Sequence, residues 1–298
     1  MIDRRLLVAV DVDGTLINTE FEDHVRAPEA AAIRRVRDAG HVLALCTGRN
    51  ARSAALIVDG ADGALAGAPQ VLLNGALVLG EGDGRVLRSL GLSRAVMTEI
   101  VSLFREAGVM PLVFGADEGG GTVWLEPMEP NAVLARYLSR RRDTVGAVTV
   151  VDDLIAALPE TAQEVGTIDV TEKVEALKRA VEKRFGNDVW IVNTESMLER
   201  ERYRWLEVLP PNCNKGTGLT LLADEMGVPR ERIVAIGDNY NDLDMFLAAG
   251  HSVAMGNAPD DVRELADRVA PHVADSGAAA ILEEIADGLW PPVPNQGV

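Results

Sequence analysis

The chain has 298 residues, 47% hydrophobic and 25% charged, and a formal net charge of −17. That fits a globular protein of one large or two ordinary domains, and so acidic a surface repels phosphate backbones and anionic lipid, which argues against nucleic-acid and membrane-surface roles. Two cysteines, Cys46 and Cys213, give neither a disulfide framework nor a zinc quartet, and the absence of a signal-peptide core or a spanning apolar stretch makes a cytoplasmic setting the simplest expectation.

Leu6–Val10 is an apolar run of strand length that delivers Asp11-Val12-Asp13-Gly14-Thr15. Alternation puts Asp11 and Asp13 on one side of an extended chain. Two carboxylates that close repel unless a cation or a proton lies between them. The segment therefore points to a metal site, an acid–base pair or both, against the plainer reading of an Asp-Gly turn. A calcium loop fits poorly, because a strand and not a helix precedes it.

A helix over Ala30–Ala39 follows, with Pro28 near its start and Gly40 past its end. Strand Val42–Cys46 leads into Thr47-Gly48-Arg49 and a helix to about Val58; strand Val71–Leu73 ends in Asn74-Gly75. Apolar strands without alternation, separated by helices, predict a parallel sheet covered on both faces. Gly80-Glu81-Gly82-Asp83-Gly84 then reads as a turn or a linker, with an inserted α+β module from residue 83. Its expected elements are helix Arg94–Ala107, strands Leu112–Phe114 and Val123–Glu126, helix Ala132–Arg141, strand Glu164–Val170, helix Glu172–Phe185, strand Val189–Asn193 and an edge strand at Trp205–Leu209. Gly119-Gly120-Gly121 reads as a flexible loop, since no helix pattern opens after it. More than half of the 29 basic residues fall in this insert, mostly as solvated helix faces. After Pro210-Pro211 the parallel pattern resumes: helix Gly218–Met226, strand Ile233–Ile236, helix Leu243–Ala249, strand Ser252–Met255, helices Asp260–Ala266 and Ala278–Ala286, and a loose tail Pro291–Val298. The division is thus a Rossmann-like α/β core over residues 1–82 and 210–298, with a cap over 83–209.

In open parallel sheets, ligands bind beyond the carboxyl ends of the strands. Four strand ends here carry polar groups: Asp11 and Asp13; Thr47, Gly48 and Arg49; Asn74; and Asp238 with Asn241 and Asp242. Lys215 stands at a helix start, in Asn214-Lys215-Gly216. Taken singly, each has a bland reading as a cap, a turn former or a surface charge. Together they suit phosphoryl transfer. Asp11 can attack phosphorus, and Asp13 can pass a proton to the leaving oxygen and take one from water. Asp11 and Asp238 can hold Mg2+ with oxygen ligands. Thr47, Lys215 and backbone N–H groups near Gly14 and Gly48 can bind the phosphoryl oxygens.

These motifs, with Ala254-Met255-Gly256-Asn257-Ala258, resemble the haloacid dehalogenase superfamily, and more narrowly its Cof-type phosphatases, which carry a large α/β cap after the third core strand. The resemblance implies a magnesium-dependent hydrolase of a small phosphomonoester, such as a sugar phosphate or a phosphorylated small acid, working through an aspartyl phosphate as a monomer or homodimer. It implies Asp11 as nucleophile and Asp13 as acid–base, with its backbone carbonyl also on the metal. Thr47 and Lys215 would hold phosphate, joined by Gly14, Gly48, Arg49, Asn74 and Asn241. Asp238 would be a metal ligand, and Asp242 a ligand or an orienting group. The segment Ala274-Asp275-Ser276-Gly277-Ala278 departs from the subgroup, so no role passes to Asp275. A phosphomutase or phosphotransferase on the same fold, and a non-catalytic binding module, are the competing expectations; retention of Asp11, Asp13, Lys215 and Asp238 together argues against the last.

Overall fold

The computed structural model describes residues 5–18, 24–115, 122–144, 148–196, 199 and 202–290. The glycine run 119–121 and the tail from residue 291 lie outside them.

The chain begins with β1 (Leu7–Val10), α1 (Ala27–Asp38), β2 (Val42–Cys46), α2 (Ala51–Asp59) and β3 (Gln70–Leu72). Two short strands follow, β4 (Leu77–Leu79) and β5 (Val86–Ser89). The middle of the chain contributes β6 (Leu92–Ser93), α3 (Arg94–Glu106), β7 (Leu112–Phe114), β8 (Val123–Leu125), α4 (Ala132–Thr144) and β9 (Val148–Val150). It continues through α5 (Leu154–Ala157), β10 (Thr161–Ala162), β11 (Glu164–Val170), α6 (Thr171–Phe185), β12 (Trp190–Glu195) and β13 (Tyr203–Leu209). The last part supplies α7 (Lys215–Met226), β14 (Ile233–Gly237), α8 (Leu243–Ala248), β15 (His251–Ala254), α9 (Asp260–Glu264), β16 (Arg268–Val269) and α10 (Gly277–Ala286).

Among the described residues the core sheet runs β16-β15-β14-β1-β2-β3-β4-β5. It is parallel from β16 to β3, and β4 and β5 are antiparallel. Successive residues of β1 enter opposite layers. Val8 and Val10 pack towards α1 and α10, while Leu7 and Ala9 pack towards α7 and α8. Both faces are apolar, which is why the strand shows no alternation. The strand order reverses between β1 and β14, one leading outward to β2 and the other to β15. That is the topological switch point where such sheets form a crevice.

The second large sheet runs β12-β13-β11-β7-β8-β9, antiparallel except between β8 and β9. Helices α3 and α6 bury Met97, Ile100, Phe104, Val174, Leu177 and Val181 against one face. Helix α4 covers part of the other with Val133, Leu134 and Leu138. The rest of that face meets the core: Val192 and Leu209 pack with Leu73, Ala76 and Cys213.

Two expectations are corrected. The strand at Trp205–Leu209 is interior, paired to β11 on one side and β12 on the other; order within a sheet is set by partners distant in sequence. The glycine segment 80–84 is the turn between β4 and β5 and does not lead out of the core. At residue 83 the chain is still in the core sheet, and it leaves only after Ser89. A glycine-rich stretch signals a turn equally well within a sheet or between modules, and three-residue strands are too short to show a period.

Candidate active site

Asp11 is the first residue past β1 and Asp238 the first past β14, so adjacent parallel strands aim both carboxylates into the crevice. Asp11 N–H still donates to the Ile236 carbonyl at 2.9 Å, which prolongs the ladder by one residue past β1. Gly14 has φ +87°, and a Cβ there would lie 2.2 Å from Asp238 Oδ2. Glycine is therefore required both for the turn and for the approach of the second carboxylate.

Lys215 opens α7, whose start is fixed by Asn214: its side chain accepts from Thr217 N–H at 2.8 Å. The lysine is 1% exposed. Its Nζ donates to Asp11 Oδ1 and to Asp242 Oδ1, each at 2.6 Å. The other Asp242 oxygen accepts from the N–H groups of Asp238 and Asn239 at 2.8 and 3.0 Å. Asp242 thus anchors both the lysine and the loop after β14. Carboxylate oxygens of Asp11, Asp238 and Asp242 all lie within 4.8 Å of one another.

The charge balance of this cluster is uneven. Burial pushes the Asp11 carboxyl up to about 7, with the Asp242 and Asp13 charges adding to it and Lys215 opposing. Burial also pulls at Lys215, but Asp11 and Asp242 outweigh it and keep the ammonium above its ordinary value. Three dry carboxylates around one lysine leave surplus negative charge. Their hard oxygen donors fit a divalent cation of the magnesium kind.

Asp13 points elsewhere. Its carboxylate receives Arg49 Nε at 3.0 Å and Nη2 at 2.7 Å, so its side chain stands apart from the three-carboxylate cluster. Arg49, expected at the phosphate, is engaged with Asp13 in turn. Thr47 is fully buried, and its Oγ1 accepts from Arg49 N–H at 3.1 Å. Asn74 adopts φ +49° in the turn after β3. Its Nδ2 donates to Glu207 Oε2 at 3.3 Å, and its Oδ1 accepts from Asn241 Nδ2 at 3.0 Å. These bonds join the two expected phosphate binders, Asn74 and Asn241, to each other. A Cβ on Gly48 would lie 3.2 Å from Asn74 Nδ2.

Two residues escape sequence reasoning. Asn257 donates to the Gly14 carbonyl at 2.9 Å and to Asp238 Oδ2 at 3.0 Å, tying the first and last parts of the core together; only its place after Met255-Gly256 hinted at this. Glu207 gave no signal, being one acid in a strand of mixed polarity. Cys46 and Cys213 are buried free thiols that burial pushes up, so neither is a poised nucleophile. A cavity of 340 Å³ lies between the two modules, lined by Trp190, Asn193 and Thr194 of the cap sheet and by Lys215, Tyr240 and Asn241 of the core.

Fold and site together define a class: α/β proteins with a parallel-sheet core, an inserted cap and an acidic cluster at the switch point of the sheet. Within it, the chain belongs to the haloacid dehalogenase-like hydrolase family, whose profile matches residues 8–282. It is similar to two proteins of Bacillus subtilis strain 168 named 5-amino-6-(5-phospho-D-ribitylamino)uracil phosphatase. YitU is 29% identical over 281 residues, 93% of this chain and 96% of its own. YwtE is 27% identical over 296 residues, 95% and 99%. A solved structure from Thermotoga maritima is 26% identical, with a TM-score of 0.74 over 94% of this chain and 97% of the other. The protein is a phosphoric monoester hydrolase.

Proposed function

We propose that this hydrolase cleaves a small phosphomonoester in two steps through a phosphorylated Asp11, with a divalent metal, Mg2+, in attendance. The observation that carries the reading is the placement of Asp11 at the switch point, 2.6 Å from Lys215 Nζ and beside the Asp238 and Asp242 carboxylates.

Asp11, Asp238 and the Asp13 backbone carbonyl would hold the cation, with Asp242 close by. When bound, it supplies positive charge that lets a carboxylate approach an anionic phosphate. An Asp11 oxygen attacks phosphorus, the P–O bond to the leaving group breaks, and the phosphoryl group passes to Asp11. Lys215 and Thr47 stabilise the charge spreading over the phosphoryl oxygens. Once the Arg49 contact opens and Asp13 has taken up a proton from solvent, it gives that proton to the leaving oxygen, then takes one from the water that hydrolyses the acyl phosphate. Its side chain is 25% exposed, against 6% for Asp11. That exposure suits a group which trades protons with substrate and water. Arg49 fixes its resting direction, and that contact opens for transfer.

The cap, between Ser89 and Pro210, would select the leaving group. The cavity sets an indole and a phenol ring among carboxamides and a threonine, with Lys215 at its core side. Rings offer stacking surface, and amides match a row of hydroxyls. This suits a phosphorylated polyol that bears a planar ring, as the names of the two Bacillus relatives describe, or a plain sugar phosphate. A phosphomutase would share the first half-reaction and differ only in what receives the phosphoryl group. Phosphate release from a panel of esters, with and without added Mg2+, separates these readings. Free phosphate from a ring-bearing polyol phosphate supports the proposal, whereas transfer to a second hydroxyl without release would replace it by a mutase.

A further inference from the structure

Glu207 is a carboxylate in an unlikely place. It stands in the middle of β13, paired at Gly166 of β11 and Val192 of β12, on the sheet face that meets the core. It is half-buried there, on the face where Val192 and Leu209 pack with Leu73 and Ala76 of the core. Burial there pushes its carboxyl up to about 7, with Lys215 and the Asn74 hydrogen bond opposing. A charged group is costly to keep in such a contact unless it has specific partners, and groups so perturbed cluster at functional sites.

Its partner is Asn74. By accepting from Asn74 Nδ2 at 3.3 Å, Glu207 sets which way the amide faces, so that Oδ1 turns to Asn241 Nδ2 at 3.0 Å. Asn241 precedes Asp242, which grips Lys215 and the backbone after β14. On the other side, the turn holding Asn74 bears on the start of α7. A Cβ on Gly75 would lie 2.3 Å from the Asn214 carbonyl oxygen, one residue before Lys215. Glu207 and Asn74 also roof Gly48, whose Cβ would lie 3.6 Å from Glu207 Oε1. The amide of Asn74 therefore lies against two other strand-end loops, those of Gly48 and Asn241, and a cap residue bonds to it.

We propose that Glu207 is a positioning residue: docked on Asn74, it aligns the Asn74–Asn241 pair and with it the loop that fixes Asp242 and Lys215, so that the seating of the cap and the geometry of the phosphoryl site are set together. The inference rests on the phosphatase reading above. It assigns Glu207 no contact with substrate and no proton transfer.

The experiment measures kcat and KM for p-nitrophenyl phosphate with Mg2+ in the full-length protein and in Glu207→Ala, Glu207→Gln, Asn74→Gly and the Glu207→Ala/Asn74→Gly double variant, with a thermal melt of each. Glycine is chosen at position 74 because it keeps the left-handed turn and removes only the amide. Glu207→Ala should lower kcat by about tenfold or more, the scale of a small misplacement of reacting groups, with a smaller change in KM. Glutamine still offers an oxygen to Asn74, so Glu207→Gln should recover most of kcat. The double variant should be no slower than the slower single variant, because both break one chain of contacts. Multiplying single effects in the double variant, or a Gln variant as slow as the Ala variant, would overturn the proposal. Should Glu207→Ala fail to fold, Glu207→Gln and Asn74→Gly still decide: a Gln variant that loses activity while its melt is unchanged refutes it. A wild-type protein that releases no phosphate from any ester refutes the phosphatase reading instead, and the two failures are thereby told apart.

Discussion

The two sheets of this molecule are built to different rules. The centre of the core sheet is parallel and buried on both faces: every residue of β1, β2 and β14 is buried. The cap sheet is mostly antiparallel, covered by α3 and α6 on one face and shared on the other between α4 and the core. Its strands carry partly exposed polar residues, as in β12, where only Val192 and Thr194 are buried. A sheet buried on both faces holds its strand ends in fixed register and can place several charged groups within ångströms of each other. A sheet whose strands keep partly exposed side chains can vary them at little cost to its core. On the proposed function, chemistry would belong to the first and selection to the second, and each expected outcome below tests that division.

The largest effect falls on the core. Asp11→Asn should lower kcat by about four orders of magnitude or more, because an amide cannot attack phosphorus. Its melting temperature should hold or rise, since the change removes one of three crowded carboxylates. Substantial multiple turnover in a folded sample would end the nucleophile assignment. Stripping divalent ions with a chelator should likewise abolish phosphate release, with recovery on Mg2+ and not on Ca2+, whose looser coordination would tie up the attacking oxygen. Full activity after exhaustive chelation would remove the metal from the scheme.

Lys215→Met comes next. It leaves the buried Asp11 and Asp242 carboxylates without their cation and should cost about 3–5 kcal/mol of stability in urea unfolding. Added Mg2+ should return part of that loss by binding the folded state alone. A variant as stable as the wild type would mean that the cluster is not electrostatically coupled.

The cap is expected to answer more gently and more selectively. Trp190→Ala should raise KM for a ring-bearing polyol phosphate by about tenfold, the scale of a lost stacking contact, with a distinctly smaller loss on a simple sugar phosphate. Equal losses on both would break the division of labour. The smallest effect is in pH dependence. The Glu207 carboxyl is pushed up to about 7 in the folded protein, against 4.5 as its ordinary value. Between those values the folded protein keeps a proton that the unfolded chain has lost, so its contribution to stability is full below the lower value and fades as pH rises through the upper one. Glu207→Gln should flatten the fall of melting temperature over that window by a few degrees; identical slopes in both proteins would contradict it.

The same contrast explains what could be read from the sequence. Strands such as Val42–Cys46 are continuous apolar runs between helices, a pattern with few other meanings, and their polar ends offered Asp11, Thr47 and Asp238, with Lys215 offered by a helix start. The cap strands gave segments without neighbours. Trp205–Leu209 was legible as a strand, but its place between β11 and β12 depends on pairing across 35 residues or more on one side, which no local period encodes. The short strands β4, β5 and β9 fell below the length at which alternation can be counted. Asn74 was visible as a polar strand end, but its bonds to Glu207 and Asn241 join residues 133 and 167 positions away. Glu207 itself could be found only once the two modules were seen in contact.

The position of β1 in the core has a consequence for how the chain is made. It lies between β2, which is synthesised soon after it, and β14, which begins at Ile233. The whole cap emerges from the ribosome in between. Until then β1 has one partner and one bare apolar edge, the kind of surface that recruits strands from other chains. Asp11 is thus translated long before the strand that completes its surroundings, and a nascent chain stalled within the cap carries an aggregation hazard that the closed core sheet does not.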